Sequence, residues 1–463
     1  MIKRTRTAIF IVLIIAFLTI APLTVLYCLG WRFDFETRKI TQPGMFYFKA
    51  WPRNCQIYIN GDIKKKTDIF FGSVLIENML PDNYNVEINK EGYHSWKKNL
   101  LISKREVTEA KNVTLIPQNP AIGLISKNIE SFFFSPDEKK IILREGEEEW
   151  SLKLFEPEKN IKSHLISQND LRLGPLTPKG EEISGSVELI DLLFSDDSKR
   201  LLLTLGAKEN IYHFILEIES NNLIPLEIAD SEKIIFHPTD SQKVLVLFQE
   251  KLEEIDFKTK ESLVILENVI EITSNYNKIY YLDKEGFIFK TSPDGEDGER
   301  LNIIPFEIKQ EVRYEIKILN NNIFLEEDNS LYLFDQEKNS FEKLLEPSKN
   351  IKISLDGRKV AYFNDYEIWV KFLEKKYEQP QKEVGDKIFI NRFSEQIDSL
   401  FWYTDHYLIF NTNNIIKIAE IDDRGKINIV DLAEYEDPNI FFSNRKVYVI
   451  SKNNFYISEN LTP

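Results

Sequence analysis

Five histidines, two cysteines and several acidic clusters are the side chains of this 463-residue chain that could do chemistry, and their spacing limits what that chemistry could be. His94, His164, His213, His237 and His406 show no HExxH-type or other metal-ligand spacing, and His213 and His406 lie in or beside apolar runs, as core or surface histidines do. Cys28 falls inside a long apolar run and Cys55 beyond it, too few for a disulfide framework or a thiolate metal site. Glu145, Glu147, Glu148 and Glu149 form one carboxylate cluster and Ser292-Pro-Asp-Gly-Glu-Asp-Gly-Glu299 another. Carboxylates in a polar hairpin are usually solvated, and the second cluster lacks the ligand spacing of a calcium loop. Asp137, Asp197 and Asp356 stand in turn sequences, where an aspartate accepts backbone hydrogen bonds. No nucleophile elbow, phosphate loop or dinucleotide fingerprint is present. The sequence therefore nominates no catalytic, cofactor-binding or metal-ligating residue.

The elements that would carry any site follow from composition. Aromatic residues make up 12%, with 32 Phe and 19 Tyr, which leans toward strands. With 59 basic against 74 acidic residues the formal charge is −15, so a polyanionic backbone would be repelled over most of the surface and nucleic acid is not an expected partner. Residues 8 to 29 are uncharged, and at about 1.5 Å per residue they reach roughly 33 Å, enough to span a bilayer. The run is long and ends in bulky Tyr27, Leu29 and Trp31, the pattern of an uncleaved signal anchor; Tyr27 before Cys28 argues against a lipoprotein site. Lys3, Arg4 and Arg6 precede the run on a short tail, while Arg32, Arg38, Lys39 and Lys49 follow it. That order predicts a cytoplasmic N-terminus and a body outside the membrane.

After a linker over 32–49, the stretch from Cys55 reads as a small all-β unit. Ile57-Tyr58-Ile59 meets the hairpin turn Asn60-Gly61-Asp62, Leu80-Pro81-Asp82-Asn83 leads into alternating Tyr84, Val86 and Ile88, and Asn112-Val-Thr-Leu-Ile116 supplies a last strand. Over about residues 50 to 117 this pattern resembles the PEGA domain, with IYINGD, Thr67, LPDNYNVEINKEGY and NVTL in the family's order. The family's name motif is replaced by Trp51-Pro52-Arg53-Asn54-Cys55. The resemblance implies a sandwich-like fold and a place in the cell envelope. Lys64-Lys65-Lys66 reads as a solvated hairpin tip, with anionic lipid or wall polymer as the functional alternative.

From residue 121 onward one pattern recurs: apolar triplet, polar turn, apolar triplet. Phe132-Phe-Phe134 with Ser135-Pro-Asp137 precedes Ile141-Ile-Leu143, and Leu192-Leu-Phe194 and Ile234-Ile-Phe236 open similar units. Weaker copies begin at Ile270-Glu-Ile272, Ile316-Lys-Ile318, Ile351-Lys-Ile353, Leu400-Phe-Trp402 and Ile440-Phe-Phe442. Third strands such as Tyr212–Leu216, and fourth strands such as 341–345 and 426–430, follow many of them. Self-similarity of this kind predicts a β-propeller, and eight copies at roughly 43 residues each favour eight blades over seven. The last copy stops after three strands, so Ala121-Ile-Gly-Leu-Ile125 is expected to close the ring. The copies resemble WD40-like repeats of the TolB type, which implies fold and no activity. Trp150, Trp369 and Trp402 read as blade core. Insertions over 156–187, with Gly174-Pro175, and 375–396, with Gln379-Pro380-Gln381, are the expected recognition loops. The whole points to a membrane-anchored binding or scaffold protein of the envelope, its partner a protein or a glycan. An enzyme with its active site in the propeller channel is the alternative.

Overall fold

The computed structural model describes residues 3–34, 38–173, 186–207, 210–228 and 231–462. Of the features singled out above, Gly174-Pro175 and the side chains of Lys3 and Arg4 lie outside the described residues. The apolar run forms helix α1 (Lys3–Cys28), with Pro22 inside it and large side chains such as Phe10, Leu13 and Phe17 exposed. It is long and apolar enough to cross a membrane. Strands β1 (Arg32–Asp34) and β2 (Lys39–Thr41) then pair antiparallel.

The small module is two packed sheets. Strands β3 (Gly44–Trp51), β4 (Gln56–Ile59), β5 (Asp62–Lys66), β6 (Ser73–Met79), β7 (Asn83–Asn89), β8 (Trp96–Leu101) and β9 (Val107–Thr114) assemble in the orders β6-β3-β9 and β5-β4-β7-β8. The first sheet starts at Gly44, inside the stretch read as linker. Phe46, Phe48 and Ala50 alternate inward with that strand's period of two and pack on Ile57, Val86 and Trp96. The last strand likewise begins five residues before Asn112. Asn60 and Gly61 both take positive φ, 51° and 86°, as the expected tight hairpin requires.

Strand β10 (Ile122–Lys127) opens the propeller. Seven four-stranded antiparallel sheets follow in chain order, over 129–167, 188–226, 233–267, 269–300, 314–345, 350–392 and 397–434. The eighth sheet holds Asn439–Ser443, Lys446–Ser451 and Asn454–Ser458, and β10 pairs with the last of these from Ile122 opposite Ser458. Eight blades and the expected closure are thus both present. Within blades, the fourth strand of blade 7 runs Ile429–Glu434 rather than 426–430. The two supposed insertions each contain a fourth strand, Ile161–Ser167 and Lys387–Arg392; the second alternates in burial, whereas the first is exposed over its first four residues and buries only Leu165 and Ile166.

The recurring turns hold the blades. Ser135 Oγ donates to Asp137 Oδ1 at 2.6 Å and accepts from Lys140 N at 3.0 Å, while Asp137 Oδ1 accepts from Lys139 N. The same arrangement recurs at Ser195 with Asp197 and at Ser354 with Asp356. Burial works against ionisation of these aspartates, yet the hydroxyl and amide donors, led at Asp356 by the Lys359 ammonium, outweigh it and hold each below the usual carboxylate range. In blade 3 a histidine takes the serine's place, His237 Nδ1 accepting from Asp240 N at 3.1 Å. Each turn also reaches the next blade: Lys140 Nζ donates to Ser198 O, Arg200 to Ser241, and Asp356 N to Asp405 Oδ1.

The module docks on blade 7 through a closed polar seam. Lys98 Nζ is 2.7 Å from Glu420 Oε1 and donates to the carbonyls of Asp422 and Lys426. Glu420 also accepts from Trp96 Nε1 at 2.6 Å and from Asn428 N at 2.8 Å. Neither charged side chain is more than 2% exposed. Gln379, expected on a recognition loop, instead bonds both Glu109 N and Val107 O on the free edge of β9.

Candidate functional site in the propeller channel

The first strand of each blade lines the central channel, so residues with channel-facing side chains recur at matching places in the repeats. The middle residues of the apolar triplets are charged in blades 4, 5 and 6 (Glu271, Lys317, Lys352) and aromatic in blades 7 and 8 (Phe401, Phe441). Their flanking neighbours Ile316, Ile318 and Ile440 are buried between blades. Two unlike halves result. On one side Phe441 stacks on Phe134 at 4.0 Å and meets Phe401 at 5.0 Å. On the other side the first strands of blades 2 to 5 begin around an open cavity of about 1410 Å³.

That cavity is charged and apolar at once. Asp191, Lys233, Glu271 and Glu315 line it together with Ile190 and Ile211, which are 53% and 56% exposed. Lys233 Nζ lies 2.5 Å from Glu271 Oε1. Burial raises the Glu271 carboxyl above its ordinary range, with Lys233 opposing the shift. Lower in the channel Lys317 pairs with Glu326 at 2.8 Å, and Lys352 sits 4.9 Å above the Phe401 ring, joining the two halves. Burial, and then the charge of Lys317, push the Lys352 ammonium down. Desolvated charges of both signs beside accessible isoleucines suit a ligand that is itself amphipathic.

The histidines are not brought together. His213 lines the cavity, its Nδ1 3.2 Å from Thr204 Oγ1, and burial lowers its pKa, so the ring is neutral at pH 7. His237 faces Glu254 in its turn at 3.2 Å, His164 is exposed beside Asp170, and His406 lies by the module seam. Among the described residues no group of three or more His, Cys, Asp or Glu is placed to hold a metal ion. Glu145 pairs with Lys153, while Glu147, Glu148 and Glu149 are exposed in a turn. Trp150 and Trp402 are blade core as expected and tie neighbouring blades through Val187 O and Lys352 O; Trp369 is half-buried against Phe389. What sequence reading missed is Glu271, Lys317 and Lys352, although a charge inside an apolar triplet at a repeated position was there to be seen.

No family model matches the chain, and no curated protein is similar to it in sequence. Solved structures are similar to it in fold. The computationally designed Ika8 protein shares 14% identity over 72% of this chain and 96% of its own, with a TM-score of 0.44. The WD40 domain of SCAP from fission yeast shares 12% over 74% and 98%, with a TM-score of 0.46. BamB from Moraxella catarrhalis shares 10% over 73% and 98%, with a TM-score of 0.45. The chain is an all-β protein with an apolar N-terminal helix, a small two-sheet module and an eight-bladed propeller.

Proposed function

We propose that this is a membrane-anchored binding protein of the cell envelope, with its N-terminus in the cytoplasm, a PEGA-like module and the propeller outside. Its channel mouth is proposed to take a segment of a protein partner. The observation that carries the reading is the open cavity over blades 2 to 5, where Ile190 and Ile211 are exposed beside Asp191 and the Lys233–Glu271 pair. An inserted peptide would gain from burying its own apolar side chains there, roughly 25 cal/mol per Å² removed from water, and from pairing with the charges at the rim. A glycan would use the charged groups but leave the isoleucines wet, which is why the protein partner is preferred to the envelope polymer.

The enzymatic alternative has one observation in its favour: Glu271, whose ionisation burial resists, shares a cavity with neutral His213. Site-specific photocrosslinking separates the readings. A benzophenone side chain at Ile211 of the full chain, in native membranes, should capture one defined protein. The same group at Tyr276, which is 77% exposed at the opposite end of blade 4's first strand, should not. Capture of glycan alone, or the same products from both positions, would overturn the proposal.

A further inference from the structure

The loop between β5 and β6 presents three consecutive large apolar side chains to solvent: Ile69, Phe70 and Phe71 are 69%, 75% and 76% exposed. Such a run costs solubility and is kept only where something covers it. The loop is also built rather than loose. Asp68 Oδ1 accepts from Phe70 N at 2.8 Å and Phe71 N at 2.6 Å, and its Oδ2 accepts from Ser73 N and Oγ. Backbone donors, that of Phe71 foremost, lower the Asp68 carboxyl to about 2, so the clamp stays ionised at any physiological pH. Gly72 closes the turn at φ +68° with its carbonyl on Ala50 N, and a Cβ there would come within 2.5 Å of Ala50 O.

Position says what covers it. The edge of the module formed by β8 and β9 is the one docked on the propeller, through Lys98 and Gln379. Strands β5 and β6 form the opposite edge, joined by Lys65 Nζ donating to Leu75 O. The helix leaves from this same edge: Arg32, four residues past α1, donates to Asn78 Oδ1 near one end of β6. The aromatic loop sits at the other end, five residues and roughly 17 Å along the strand. All five residues of β5 are exposed, and Lys64, Lys65 and Lys66 with Lys49 and Arg53 outnumber Asp62, Asp68 and Glu77 around the loop, in a chain whose net charge is −15.

We propose that Ile69, Phe70 and Phe71 insert into the interface of an anionic bilayer, the one that α1 spans, so that β6 lies along the membrane and the propeller is held away from it. Phenylalanine at the acyl boundary and lysines at headgroup level are the chemistry of an interfacial anchor. Two contacts a strand apart fix the module's tilt, which a single helix cannot. This rests on the membrane-anchored reading only in naming which bilayer is met.

The test uses the full chain in the Cys28→Ser background, reconstituted into phosphatidylcholine vesicles with and without phosphatidylglycerol. Cys55 is buried and its thiol is pushed up to about 11 by burial, so a nitroxide label goes to an introduced cysteine. Labels are placed at Phe70→Cys, at Leu18→Cys in α1 and at Tyr276→Cys on the propeller. By power saturation the label at 70 is expected to be accessible to oxygen over a nickel chelate, more so with phosphatidylglycerol, while that at 276 shows the reverse. Moving the label to Ile69→Cys together with F70D and F71D should return it to water. A label at 70 that the nickel chelate reaches, or one shielded from both reagents as under a protein partner, overturns the proposal. The label at 18 reports the anchor independently: lipid at 18 with water at 70 sinks this inference alone, and water at 18 with lipid at 70 sinks the anchor alone.

Discussion

At the seam between module and propeller the free space beside Glu420 is about 30 Å³; at the channel mouth beside Glu271 it is about 1410 Å³. Both glutamates are buried and both are paired with a lysine. The seam pair is closed, with Lys98 fully buried and every proton of its ammonium given to an acceptor. The channel pair is open on one side, Lys233 being 29% exposed over a cavity wide enough for side chains from another molecule. A buried charge therefore does not by itself mark a functional site. A closed pair specifies how two units fit, whereas a pair with one accessible member can exchange its partner for a ligand.

The largest effect should come from breaking the closed pair. E420A strands the Lys98 ammonium and K98M strands the Glu420 carboxylate, and removing one partner of such a pair costs about 3–5 kcal/mol. Denaturant unfolding should show that loss, with the module becoming protease-sensitive before the propeller. The double variant K98M/E420L, which removes both charges, should recover most of it. If E420A proves no more costly than a change at Lys233, the contrast between the two regions is gone.

The seam should also be the acid-sensitive region. His406, which borders the same small cavity, is held down to about 4, first by burial and then by the charges of Lys376 and Lys359. Its folded value lies below the ordinary 6.5, so the neutral ring stabilises the fold above that pH, and the contribution is lost as pH falls from 6.5 toward 4. The loss is on the order of 3 kcal/mol. Thermal unfolding as a function of pH should flatten over this window in H406Q, and an unchanged slope would remove His406 from the seam's energetics.

How much of this was legible depends on whether a feature repeats. The Ser135, Ser195 and Ser354 turns recur in sequence because each needs the same hydrogen bonds; the blade number could be read from the spacing of the eight apolar triplets around such turns, and the closing strand at Ala121 from a last copy of only three strands. The aspartates of those turns accept the backbone hydrogen bonds expected of them, from Lys139, Lys199 and Arg358. The seam was not legible: Lys98 and Glu420 lie 322 positions apart, and nothing in WKKNLL or KIAEID says that one end meets the other. Gln379 was misplaced for the same reason, since a polar Pro-containing loop looks alike whether it faces water or another sheet. The channel stands between these cases. Its charges sit at equivalent repeat positions, but only the closed ring shows that these middle residues of blades 4 to 8 face inward and that Phe401 and Phe441 fill one half while Glu271 and Lys317 leave the other open.

Opening the comparison at its weaker end needs two lysine variants. K233M leaves Glu271 without its counter-charge, and because burial already raises that carboxyl, the group should protonate at still higher pH. A carboxyl whose folded pKa is raised stabilises below the ordinary value and loses that contribution as pH rises through the folded one, so K233M should weaken with rising pH over a wider window than the parent, whose Lys233 limits the rise. Its cost near neutrality should be about 1–2 kcal/mol, because water reaches the cavity and softens the loss, and K233M/E271Q should restore it. Lys452 of blade 8 and Glu436 of the connection leading into it form the third kind of pair, with side chains 64% and 63% exposed. Such a pair is worth about 0.5 kcal/mol or less, so K452A should leave stability within that margin at any pH. Measured together by denaturant unfolding at two pH values, the three lysine variants should rank Lys98, Lys233, Lys452. Only the middle one should respond to a ligand in the channel, since of the three pairs only Lys233 and Glu271 line that cavity.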